Sequence, residues 1–187
     1  MAVLPIRISG DPVLHSPAAP VEEIDDTIRE LVADMFETMD RAPGVGLAAP
    51  QVGVPLRIFT FGWTDESGKA WRDVAINPEL WISPPPAGEP DLDEEEGCLS
   101  FPGERFGLRR AEHAILRATD LDGNGYEIQA HGWLARIFQH EYDHLDGTLY
   151  IDRLGESDRK IVHKISKKLG WGKPGVQWMP GVDDLEG

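Results

Sequence analysis

The sequence contains one cysteine, Cys98. No internal disulfide can form, which fits a reducing compartment such as the cytoplasm. A bilayer span takes about 20 consecutive apolar residues, and no such run is present, so no membrane association is expected. Residues 1–11 lack a basic stretch followed by an apolar one, and they are not Arg- and Ser-rich. Neither a secretory nor an organelle leader is expected there. Basic residues are also scarce, with 18 Lys and Arg against 33 Asp and Glu, for a formal charge of −15. That balance excludes broad, nonspecific binding to DNA or RNA and points to a solvated acidic surface. No internal repeat is found. What the chain does have is 187 residues, 41% of them hydrophobic, enough for the core of one domain.

Periodicity divides the chain. Residues 12–20 carry three prolines and read as a loop. Ile24, Ile28, Leu31, Val32, Met35 and Met39 recur at helical spacing, with Asp25 and Asp26 in the first turn, so a helix is expected to end near Arg41. Residues 44–53 read as a Gly- and Pro-containing loop. Strands are expected over residues 56–63 and 73–80, joined by a polar turn. Residues 83–96, with three consecutive prolines and many carboxylates, read as a solvated loop. Strands over 110–120 and 126–130 flank Asp122-Gly123-Asn124-Gly125, a hairpin signal. From Gly132 the period becomes helical through Trp133, Leu134, Ile137, Phe138, Glu141 and Leu145, and Gly147 ends it. A last helix is expected over residues 156–169. The expected fold class is α+β: antiparallel sheets around a central helix, with an N-terminal and a C-terminal helix. Residues 1–170 are expected to form one catalytic domain. Residues 171–187 read as a tail whose prolines and acids suggest mobility and whose Trp171 and Trp178 could anchor it.

The central helix carries His140-Glu141-Tyr142-Asp143-His144. Residues four apart share a helix face, so both imidazoles can reach one metal ion with Glu141 beside them. The bland alternative is a solvated helix surface. A catalytic site of this type usually needs a third protein ligand. Downstream, Glu156 and His163 are candidates, although Glu156 also suits a helix start and His163 a helix flank. Upstream, Cys98 sits after Gly97 in Glu95-Glu96-Gly97-Cys98-Leu99-Ser100, and a thiolate is a strong ligand for zinc or ferrous iron. A lone cysteine is otherwise more often a small buried hydrophobe.

Three segments in order resemble the peptide deformylase family: Gly44-Val45-Gly46-Leu47-Ala48-Ala49-Pro50-Gln51-Val52-Gly53, Glu96-Gly97-Cys98-Leu99-Ser100, and Gln139 to Gly147 around the histidine pair. The resemblance spans residues 6–152 and selects Cys98 as the third ligand, with His140 and His144. It implies one divalent metal, with ferrous iron as the physiological ion and zinc, nickel or cobalt also accepted. It implies hydrolysis of the N-formyl group of formylmethionine on new polypeptides, with water held by the metal attacking and Glu141 as general base and acid. The Gln51 amide and the Leu99 N–H are implied as donors to the formyl oxygen. Gly46 is implied as a backbone contact to the peptide. Val45, Trp133, Ile137 and the stem of Arg136 are implied to line a pocket for methionine, with Arg105 at its mouth. The prolines and acids of residues 84–93 look like an unusual insertion. Two rivals share these motifs: a zinc peptidase, which would tolerate Cys98→Ser, and a catalytically silent binding module. On the last helix, Lys160, Lys164, Lys167 and Lys168 share a face. The bland reading is a docked helix with a solvated lysine side; the sharper one is a contact with ribosomal RNA.

Overall fold

The computed structural model describes residues 1–187 except Leu92, Asp184, Glu186 and Gly187. The parts of the acidic segment and of the tail that fall on those four therefore lie outside the described residues. Helix α1 spans Asp26–Arg41. Asp25 caps it, its carboxylate accepting from the Ile28 N–H at 2.9 Å. Ile28, Val32, Met35 and Met39 are buried, as the spacing demands.

Strands β2 (Gly46–Ala48), β3 (Ile58–Thr64), β4 (Ala70–Ile82), β7 (His113–Thr119) and β8 (Gly125–His131) form an antiparallel sheet in the order β2-β3-β4-β7-β8. The β3–β4 turn is organised by Asp65, whose carboxylate accepts from the Ser67 and Lys69 N–H groups at 3.0 Å each. β4 runs past its expected end because Asn77, at φ +49°, makes a bulge. Its amide replaces the lost ladder by pairing with both the N–H and the carbonyl of Val21, at 2.8 Å each. Helix α2 (Gly132–Leu145) lies on this sheet. Phe138 meets Phe61 edge-on at 5.0 Å between centroids, with Phe59 alongside. The α+β architecture therefore matches the periodicity.

Two small two-stranded sheets complete the fold. β5 (Glu95–Cys98) pairs with β6 (Phe101–Gly107) as a hairpin, and β1 (Ile6–Arg7) pairs with β9 (Gln177–Trp178) across almost the whole length of the chain. Helix α3 spans Glu156–Leu169.

Several local expectations need correction. Residues 44–53 are not all loop: they contain β2 and a 3₁₀ turn at Ala49–Val52. Residues 83–96 are not a solvated loop to their end, because Glu95 opens β5 and the Glu96 side chain is buried. β6 had no periodic signal, since Pro102 and Gly103 interrupt its pattern. On α3, Val162 and Ile165 pack inward, but Ile161 and Leu169 are about half exposed, at 45% and 50%, so the apolar face is only partly docked. Trp178, in the tail, is 4% exposed.

Candidate active site

Helix α2 is buried on nearly every face, so its polar residues are held in a dry setting. The helical repeat stacks His140 and His144 with ring centroids 4.9 Å apart and their Nε2 atoms 3.2 Å apart. Cys98, at the end of β5, brings its Sγ to 3.3 Å from His144 Nε2. The three ligand atoms lie within 4.8 Å of one another, and among the described residues they form the one such cluster. Metal bonds of about 2.0–2.3 Å place tetrahedral ligand atoms roughly 3.3–3.6 Å apart. The observed separations to His144 sit at that edge length, and the N₂S donor set suits a transition metal. Glu156 and His163 lie elsewhere, on α3 beside Arg159, Lys160 and Lys164, so the downstream ligand candidates do not join the cluster.

Beneath the cluster lies Glu96. One of its oxygens meets His140 Nδ1 at 2.6 Å, which leaves Nε2 to face the cluster. The same carboxylate accepts from Arg110 at 2.7 and 3.1 Å and from Arg136 at 3.1 Å. Arg110 continues to Asp143 at 2.6 Å, which also binds Arg153. Burial opposes the charge on Glu96, but Arg110 and then His140 outweigh it and hold the carboxyl far below its usual range. Sequence reasoning gave no role to Glu96 or Arg110. A signal was present: alternation along a strand puts residues 96 and 98 on the same face.

Glu141 is 4% exposed, and its Oε2 has no hydrogen-bond partner. Burial pushes its carboxyl up to about 7, with His140 pulling the other way. β2 runs directly over it, and a Cβ at Gly46 would overlap the Glu141 carboxylate. Glycine at 46 thus leaves room for the Glu141 carboxylate where it stands, a reason the sequence alone did not supply. Gly46→Ala is expected to lower kcat by about 10²-fold, as small misplacements at reacting groups do, with the fold kept. Steady-state kinetics beside circular dichroism checks this, and an unchanged kcat contradicts the steric reading.

Gln51, on the 3₁₀ turn, is 1% exposed. The Ala48 N–H donates to its Oε1 at 2.8 Å, which turns Nε2 toward Ser100 Oγ at 3.3 Å and Cys98 Sγ at 3.8 Å. A side-chain donor therefore stands beside the cluster.

A cavity of about 330 Å³ opens above these groups, lined by Val45, Gly46, Gln51, Leu99, Trp133, Arg136, Ile137 and Glu141. All six residues expected to meet substrate line it, Arg105 included. Arg136 presents only its stem, because its guanidinium donates to the Leu108 carbonyl at 2.6 Å and to Glu96 and Glu94. Trp63 was not anticipated. It lines the same cavity from β3, its ring 6.0 Å from that of Trp133. Its position in an apolar strand made it look like ordinary sheet.

Comparison with known proteins adds a second line of observation. The sequence matches the polypeptide deformylase family over residues 3–160. It is 50% identical to a peptide deformylase of Rhodococcus opacus (strain B4), covering 97% of this chain and 95% of that one. It is 49% identical to a peptide deformylase of Mycolicibacterium paratuberculosis, covering 97% and 96%. Among solved structures, a peptide deformylase from Legionella pneumophila superposes with a TM-score of 0.77 at 40% identity, covering 90% of this chain and 96% of that one. One from Ehrlichia chaffeensis in complex with actinonin gives 0.78 at 38% identity, covering 90% and 98%.

Proposed function

This chain belongs to the polypeptide deformylase family, and from that premise we propose how its residues divide the work. The protein is a metal-dependent hydrolase that removes the N-formyl group from formylmethionine on new polypeptides and releases formate. The observation that carries the assignment of roles is the convergence of Cys98, His140 and His144 beside a buried, unpartnered Glu141.

In this reading Cys98, His140 and His144 hold the metal. Once bound, it supplies Lewis-acid activation of water near neutral pH. Ferrous iron is the ion we assign, and the same donor set accepts zinc, nickel or cobalt. Glu141 takes the proton from water and returns it to the leaving amine, work suited to a carboxyl held in a buried, dry setting. The Gln51 Nε2 and the Leu99 N–H donate to the formyl oxygen as charge develops on it. Gly46 offers backbone to an extended peptide, and Arg105 holds the peptide at the mouth. Val45, Trp133, Ile137 and the Arg136 stem receive the methionine side chain, with Trp63 behind Trp133. Residues 1–170 act as the catalytic domain.

Formate release from a formylmethionyl dipeptide, run anaerobically because iron and its cysteine ligand both oxidise, tests the assignment. Formate with an intact dipeptide is the expected product. Formylmethionine and one free amino acid, without formate, would favour the zinc peptidase reading, and no turnover by metal-loaded protein would favour the silent module.

We assign a cytoplasmic setting, where new chains emerge. Among the described residues no helix is long and apolar enough to cross a membrane. Lys160, Lys164, Lys167 and Lys168 stand on α3, which has no buried residue; Lys160 pairs with Glu156 at 2.7 Å, and the face they share is the one proposed to meet ribosomal RNA. Changing all four to glutamate should weaken co-sedimentation with ribosomes in a salt-dependent way. Unchanged co-sedimentation dismisses the contact.

A further inference from the structure

The stretch after Gly170 is knitted to the start of the chain. The Ile8 N–H donates to the Val176 carbonyl at 2.9 Å and the Gly172 N–H to the Ser9 carbonyl at 3.0 Å. The Gly175 N–H reaches the Asp11 carboxylate at 3.1 Å. Across β1 and β9, Ile6 faces Trp178. Both segments then touch the loop that carries the cluster's sulfur. The Ser9 N–H donates to the Ser100 carbonyl at 2.8 Å. The buried Trp178 indole N–H donates to the Leu99 carbonyl, also at 2.8 Å.

The Leu99 carbonyl and the Ser100 N–H belong to one peptide unit. That N–H donates to Cys98 Sγ at 3.4 Å. A planar peptide links its two ends rigidly, so a donor fixed on the oxygen also aims the N–H. Donation to the oxygen also polarises the N–H, since chained hydrogen bonds strengthen one another in a dry setting. Leu99 is also the residue whose own N–H faces the formyl oxygen in the proposed mechanism, and its carbonyl is what Trp178 grips.

We propose that Trp178 is a positioning residue for the metal-binding sulfur, acting through the Leu99–Ser100 peptide. The proposal rests on Cys98 being a metal ligand. In it, the C-terminal strand sets the orientation of the sulfur and the number of donors it accepts.

The test uses full-length protein loaded anaerobically with cobalt(II). Three forms are compared: unaltered protein, Trp178→Phe and Ile6→Val. Phenylalanine keeps most of the packing and removes the donor. Ile6→Val loosens the same strand pair and keeps the donor. The readouts are the energy of the sulfur-to-cobalt charge-transfer band, the cobalt dissociation constant by chelator competition, and the Tm. For Trp178→Phe the band should move to lower energy, because the sulfur lone pairs lose a polarised donor. Cobalt should bind about tenfold more weakly, as when an outer partner of a metal ligand is removed. Ile6→Val should lower the Tm and leave band and affinity unchanged. A Trp178→Phe protein with unaltered band and affinity overturns the proposal. So does an equal spectral change in Ile6→Val, which would reduce the effect to packing. Absence of any sulfur-to-cobalt band in the unaltered protein would remove Cys98 from the metal, and the proposal with it.

Discussion

Glu141→Ala lowers kcat for deformylation by roughly 10²–10⁴-fold, the range a positioned proton-transfer group supplies. Metal content is expected to hold, because Glu141 lies outside the Cys98, His140 and His144 cluster. The carboxylate faces the cavity with Oε2 unpartnered, so its removal leaves no orphaned donor in the protein. The cost therefore falls on the reaction and not on the fold. KM should change little, since the cavity lining proposed to receive the methionine side chain is untouched. Formate release measured beside elemental analysis of the same sample checks both halves. A metal-loaded Glu141→Ala protein within tenfold of normal kcat would contradict the role.

Glu96→Ala carries the other large effect, and it falls on stability and metal together. The carboxylate is the shared partner of two buried arginines, Arg110 and Arg136, and of His140. Breaking a buried pair leaves an uncompensated charge and costs about 3–5 kcal/mol. Asp143 still pairs with Arg110, and Leu108 and Glu94 still hold Arg136, so the lower end of that range is expected. For a chain of this size, that lowers the Tm by on the order of 10 °C. His140 Nδ1 also loses its partner, so metal affinity should fall about 10–100-fold. Thermal unfolding and chelator competition measure the two effects separately. Loss of stability with unaltered metal affinity would mean that Glu96 supports the fold without orienting His140.

The convergence of Cys98, His140 and His144 was legible because its parts are written locally. The spacing of His140 and His144 is helix geometry, and the helical period around them was strong. Cys98 needed more, since nothing in its neighbourhood separates a ligand from a small buried residue. Only the joint pattern with residues 44–53 and 139–147 selected it over Glu156 and His163. The main elements of the fold were legible for a similar reason: α1 and α3 carry clean periods, and the β7–β8 hairpin carries a Gly-rich turn. What escaped was encoded across distance. Glu96 stands in a run of carboxylates that resembles a solvated loop, and only Arg110 and Arg136, from two other elements, turn it inward. Trp63 reads as sheet until Trp133 arrives from α2 beside it. Gly46 reads as a turn residue, while the constraint on it comes from Glu141, nearly a hundred positions away.

Joining Ile6 to Trp178 has a bearing on how the protein comes into being. Contacts so remote along a chain form slowly, because the intervening segment must first be gathered. During synthesis Trp178 is made long after Ile6. On the proposal above, a copy still lacking that stretch has no brace behind its sulfur and holds its metal more weakly until Trp178 has been added.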